Sequence, residues 1–175
     1  MSIDALIRDK RRQRMLFPLR PRAPKSASRR AMFVGEELWS LLNSAEGDQQ
    51  WELRVANLQA DLETFVEGRA IDPKYLFLLY PAREAVWEIR SARDQPSIRV
   101  LGLFARRDVF IATNFALRED LGGWDSRAWK DVKRMARTKW GHYFHTYQPI
   151  ASTNIHQLVT GALDGRYFRN PPKTP

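Results

Sequence analysis

Cysteine is absent from the 175 residues, which excludes disulfides, thiolate-bound metals and cysteine nucleophiles together. Histidine is scarce, three in all, so few imidazoles are on hand for proton transfer near neutral pH. No run approaches the roughly 18 apolar residues that a membrane span needs, and the N-terminal stretch lacks the apolar core of a secretory signal. The expectation is a soluble, cytoplasmic protein with no membrane partner. Acidic residues are the minority, 20 against 29 Lys and Arg, for a net charge of +9.

What is present describes an ordinary globular chain, 43% hydrophobic and 28% charged. It is long enough for one domain with a real core and some tens of residues over. The charge is unevenly placed. Residues 1–30 carry ten basic side chains against two acidic, residues 31–70 two against eight, and residues 71–140 fourteen against nine. Two basic blocks separated by an acidic one suggest a nucleic-acid footprint, or a solvated surface with a basic arm; charge alone leaves both open.

Residues 1–30, with Pro18, Pro21 and Pro24 among many arginines, read as an extended basic arm, in which residues 3–16 can form a short helix on contact. Glu36 and Glu37 then open a short helix through Leu38, Trp39, Leu41 and Leu42. Trp51, Val55, Leu58, Leu62 and Phe65 recur at spacings of four, three, four and three, which is helical, and Gly68 ends that helix. The period then shortens. Residues 75–80, 85–89, 97–104 and 108–115 are apolar runs of strand length, the last two joined tightly through Ala105, Arg106 and Arg107 as an antiparallel hairpin. Residues 127–140 are amphipathic: Trp129, Val132 and Ala136 face one way, while Arg127, Lys130, Arg134 and Arg137 face the other, as a surface helix or as a stripe that tracks a phosphate backbone. There is no internal repeat. A helical hairpin, an antiparallel twisted sheet of three to four strands and a C-terminal amphipathic helix define an α+β fold over residues 31–140, with an arm at 1–30 and an extension at 141–175.

Within that order, Trp87-Glu88-Ile89-Arg90, Ile98-Arg99-Val100-Leu101, the apolar strand ending at Phe115 and Ala136-Arg137 of the last helix resemble the RelE/ParE toxin superfamily, in particular its phage-derived HigB-like branch. After Phe115 the family carries one or two lysines, where this chain has Ala116, Leu117 and Arg118.

The resemblance implies the toxin component of a toxin-antitoxin pair, an endoribonuclease that cleaves mRNA on the ribosome by driving the ribose 2′-OH onto the adjacent phosphate. It implies no cofactor or metal, and a cognate antitoxin, often a small helix-turn-helix protein. The reaction needs a proton acceptor, a proton donor and cations around the phosphate. Arg90 and Arg99 on the sheet, with Arg118 at a strand end, are the candidate cations. Tyr143 and His145 stand where related toxins place a C-terminal catalytic tyrosine or histidine. Arg106 and Arg107, with the four cations of the last helix, are candidates for RNA binding. Alternatives remain open at this level: Arg90 and Arg99 as structural partners of Glu88 or Asp94, Arg106 and Arg107 as a solvated turn, and His142 and His145 as packing at a helix end. Trp124, Tyr143 and Tyr147 are candidates to stack a base, while Trp39, Trp51, Trp87 and Trp129 read as core and Trp140 as either. Rival functions are a non-catalytic nucleic-acid-binding protein, a ParE-like gyrase inhibitor and a phage assembly protein.

Overall fold

The computed structural model describes residues 1–23, 29–44, 46–91 and 96–170; Pro24, Asp94, Pro171, Pro172 and Pro175 lie outside them. Six strands, β1 (Leu16–Pro18), β2 (Ala31–Gly35), β3 (Leu76–Leu78), β4 (Trp87–Arg90), β5 (Ile98–Arg106) and β6 (Val109–Leu117), form one sheet in the order β1-β2-β6-β5-β4-β3. The helices are α1 (Ile3–Arg12), α2 (Glu36–Ser44), α3 (Gln49–Val66), a single turn α4 (Arg118–Leu121) and α5 (Arg127–Phe144). The class is α+β, as expected. The sheet, however, has six strands rather than three or four, and it is mixed: β2 lies parallel to β6, while the other neighbours pair antiparallel.

Both faces of the sheet are covered. Alternation along β5 and β6 sends Val100 and Phe110 to one cluster, with Leu38 of α2 and Leu58, Leu62 and Phe65 of α3. It sends Leu101 and Ile111 to the other, with Ile3 and Ile7 of α1 and Ala136, Trp140 and Phe144 of α5. Burial on both faces is why these strands read as nearly continuous apolar runs. Each fully buried Leu or Phe contributes about 1.5–3 kcal/mol, so the two clusters hold the helices against the sheet. Gly102 sits at a register shift against β6, where a Cβ would fall 2.3 Å from the Ile111 carbonyl oxygen; only glycine permits that approach.

Within the basic segment read as an extended arm with a short helix over residues 3–16, Ile3–Arg12 form α1 and Leu16–Pro18 form β1. The Ser2 hydroxyl caps α1 by accepting from the Ala5 amide at 3.2 Å. Ile3 and Ile7, one turn apart, are buried beneath it together with Leu16. A few apolar residues among many arginines therefore suffice to dock the segment. Arg30 is also buried, donating to the carbonyls of Phe65 at 3.0 Å, Arg69 at 3.0 Å and Thr160 at 2.9 Å. Its guanidinium, 3.8 Å from Asp108, ties the end of α3 to the β5–β6 turn and to the C-terminal segment.

The extension is folded too over its described residues, 141–170. Tyr167 is buried, its hydroxyl donating to the Ile71 and Leu163 carbonyls, and its own carbonyl accepts the Leu78 amide at 2.7 Å. Residues 155–157 form one 3-10 turn. Among the described residues no helix is long and apolar enough to cross a membrane.

Candidate nucleic-acid interface

Residues 88, 90 and 99 share the sheet face that α5 covers, because alternation places them with Val86 and Leu101 rather than with Trp87, Ile89 and Val100. Arg90 and Arg99 are direct cross-strand neighbours. Between the edge of this face and the start of α5 lies a cavity of about 270 Å³. Five cations line it: Arg90 from β4, Arg99 from β5, Arg118 from α4, Lys133 from α5 and Arg169 from the C-terminal segment. One carboxylate, Glu88, opposes them, and Phe77, Tyr80, Trp124 and Trp129 supply aromatic walls.

Local sequence explains each placement. β6 ends at Leu117, so Arg118 turns away from the sheet and donates to the Gly122 carbonyl at 3.0 Å. Gly122, with φ +64°, reverses the chain towards α5, whose cap Ser126 accepts from the Trp129 amide at 3.1 Å. Lys133 is reached from Ser126 in two turns, and its ammonium donates to the Tyr80 carbonyl. Arg169 lies over the Trp124 ring at 4.8 Å, and Tyr80 meets the same ring edge-on at 6.0 Å.

The electrostatics of the cavity favour an anion. Glu88 is 3% exposed and accepts from Arg90 Nε at 2.6 Å, with Arg99 at 3.6 Å from its other oxygen. Arg90 also lies over the Phe77 ring at 4.1 Å. Burial pushes the Arg99 guanidinium below its ordinary range; Glu88 opposes this, and the nearby Arg90 and Arg118 add to it. Its Nε is buried without a hydrogen-bond partner. Burial also lowers the pKa of Lys133, against the raising effect of Glu84 and with a further lowering by Lys130. Among the residues that line the cavity one carboxylate thus stands against five cations, an excess of positive charge that a bound anion would offset.

The structure brings together three of the five residues expected to be catalytic, Arg90, Arg99 and Arg118. It separates the other two. Tyr143 is 7% exposed on the inner face of α5, with its hydroxyl against Gly35, where a Cβ would approach it to 2.7 Å. Burial, reinforced by Glu37 and Glu36, raises its pKa, which keeps the phenol neutral and away from the cations. His145 caps the far end of α5 and faces a second, larger groove.

Arg106 and Arg107 do not join the cavity either. Seven residues of extended strand separate Arg106 from Arg99, about 23 Å at the usual rise. Arg106 is exposed and pairs with Asp4 at 3.0 Å. Arg107 is exposed beside Asp108, whose φ of 61° makes the turn. Along α5, Arg127 and Arg134 both pair with Asp131, at 3.9 and 3.0 Å, and Arg137 pairs with Glu84 at 3.5 Å. Lys130, Arg134 and Arg137 line the larger groove. Of the expected stacking residues, Trp124 is 39% exposed in the cavity and Tyr147 lines the groove. Trp87 and Trp129 are buried, and Trp140 is buried as well, donating to the Tyr147 carbonyl at 2.8 Å.

Lys133, Arg169 and Tyr80 are absent from the sequence-derived site. Lys133 carries a faint signal, at the border of the basic stripe of α5. Arg169 carries none, since only the pairing of the C-terminal segment beside β3 brings it there. Among the described residues no cluster of His, Asp and Glu could hold a metal ion. Comparison with protein-family models, curated proteins and solved structures gives no match to this chain.

Proposed function

We propose that this protein is an RNA-directed toxin, an endoribonuclease that seats one phosphate of single-stranded mRNA in the cavity between α5 and the sheet. One observation carries the reading. Arg90, Arg99, Arg118, Lys133 and Arg169 converge on a space of about 270 Å³ with an exposed tryptophan at its mouth, which is the chemistry that single-stranded nucleic acid asks for: cations for the backbone and an aromatic face for a base. From α2 onward a helical hairpin, then strands, then a basic helix follow one another, the order that the resemblance to RelE and HigB toxins implies, with α1, β1 and β2 preceding them.

In the proposed reaction the ribose 2′ oxygen attacks the adjacent phosphorus and the bond to the 5′ oxygen breaks, leaving a 2′,3′-cyclic phosphate and a 5′-OH. The arginines hold the negative charge that builds on the phosphoryl oxygens. Glu88 is the carboxylate available to take the 2′ proton. Lys133, with its pKa lowered by burial, is the amine available to protonate the leaving oxygen. An antitoxin with an acidic segment is the expected partner, covering the same cations, and the ribosome is the expected setting for cleavage.

A second reading, an RNA-binding protein without cleavage, is favoured by one feature: Glu88 is engaged by both Arg90 and Arg99, and Tyr143 faces away. The deciding experiment maps mRNA 5′ ends in cells after brief induction of the wild type and of an Arg118→Gln, Arg169→Gln double variant. These two arginines are chosen because neither supports the buried Glu88. New in-frame 5′ ends that vanish in the variant support the ribonuclease. RNA crosslinking without new ends supports the binder, and neither outcome sinks both.

A further inference from the structure

The larger groove, about 800 Å³, runs along α5 and shares two residues with the phosphate cavity, Tyr80 and Lys133. These two are linked, since the Lys133 ammonium donates to the Tyr80 carbonyl, and both compartments border on this bridge. The groove differs in character from its neighbour. Its floor is apolar, with Leu103, Trp140 and Phe144, and its rim carries Lys130 and Arg134 on the α5 side and Arg83 opposite. Its volume falls within the roughly 300–1,000 Å³ of small-molecule sites, which combine an apolar lining with a few polar groups.

We propose that this groove is a second nucleoside subsite, for the base on the side of the seated phosphate away from the one stacked at Trp124, so that the shortest ligand to fill the site is a dinucleotide step of single-stranded RNA. The inference rests on the phosphate reading of the smaller cavity and adds the substrate's form to it. A base must leave its stack to enter a recess floored by Trp140 and Phe144, while its phosphate passes the Lys133 bridge. A paired base in a duplex cannot do so, which makes the site selective for unpaired RNA.

The test is a ligand ladder measured by calorimetry on the full chain: a ribonucleoside 3′-monophosphate, a 2′-O-methyl dinucleotide that cannot be cleaved, and a 2′-O-methyl hexamer both free and annealed. In the wild type the dinucleotide should bind at least tenfold more tightly than the mononucleotide, and annealing should abolish the hexamer's gain. Thr138→Trp, on the exposed side of α5 within the groove, should remove the dinucleotide's advantage and leave mononucleotide binding unchanged. Ala151→Trp, at the other rim, repeats the test if the first variant does not fold. Equal affinities for the two ligands in the wild type, or an advantage that survives a folded filling variant, would overturn the subsite. Arg118→Gln separates this failure from that of the phosphate reading. If mononucleotide binding depends on Arg118 and the dinucleotide gains nothing, the subsite alone is wrong; if mononucleotide binding is absent or indifferent to Arg118, the phosphate site is wrong and the subsite falls with it.

Discussion

Arg90 and Arg99, directly opposite each other on β4 and β5, converge on the two oxygens of one buried carboxylate, Glu88, at 2.6 and 3.6 Å. The arrangement is structural, and in the proposed reading it also forms part of the phosphate site. Glu88 holds the guanidiniums in place, yet two cations for one carboxylate, with Arg118 close by, leave a surplus for a ligand.

Removing that carboxylate should therefore destabilise the apo protein and sharpen its response to anions. Glu88→Gln is expected to cost roughly 3 kcal/mol, the low end for breaking a buried pair, because Arg90 remains partly exposed. Added phosphate or short RNA should raise the melting temperature of the variant by more than it raises that of the wild type. Thermal melts with and without ligand measure both effects, and equal ligand shifts in the two proteins would argue against an anion site here.

Lys133 gives the site a pH dependence of predictable sign. Burial lowers its folded pKa, with Glu84 opposing and Lys130 adding. An anion needs the protonated amine, so RNA affinity should fall as pH rises through that lowered pKa, earlier than for an ordinary lysine. Stability should move the opposite way. In the interval between the folded and unfolded pKa the unfolded chain binds more protons, so this residue's contribution improves with rising pH. Fluorescence anisotropy and denaturation across the alkaline range test the two signs, and Lys133→Gln should flatten both profiles.

Trp124 is 39% exposed, beneath Arg169 and beside Tyr80. Trp124→Ala should lower single-stranded RNA affinity by about 5- to 150-fold, the 1–3 kcal/mol of one base stacked on an aromatic, with little change in melting temperature. Trp124→Phe should retain most of the affinity. Paired titrations and melts distinguish this from a packing defect, which would lower both.

Arg30 belongs by sequence to the basic arm and by structure to the core. Arg30→Met leaves the carbonyls of Phe65, Arg69 and Thr160 without their donor. It should lower stability by about 2–4 kcal/mol without changing RNA affinity in the folded protein, as measured by urea denaturation and binding side by side.

What the sequence made legible was mostly local. The recurrence of Trp51, Val55, Leu58, Leu62 and Phe65 announces α3, which runs from Gln49 to Val66, and the run at 108–115 announces β6. By contrast, β2 is five residues whose parallel partner lies more than seventy positions away, and β1 is three residues at the sheet edge, paired with β2 and packed through Leu16 against α1. Neither carries a period long enough to read. The candidate site divides in the same way. Arg90 and Arg99 lie in, and Arg118 directly after, strands that the apolar runs announce, whereas Lys133 and Arg169 arrive through tertiary packing. Tyr143 lies apart from these cations for a related reason: its position near the end of α5 is clear from the sequence, but the helix face that carries it to Gly35 is decided by contact with the sheet.

The central claim, that this cavity seats a phosphate of single-stranded RNA, is tested most directly by the salt dependence of RNA binding in the wild type and in the Arg118→Gln, Arg169→Gln variant. Each backbone contact contributes a slope of about −0.7 in log affinity against log salt for a single strand. If Arg118 and Arg169 each contact the backbone, the variant binds more weakly and its slope is shallower by about 1.4, with the fold intact. The same affinity and slope in both proteins would contradict that claim.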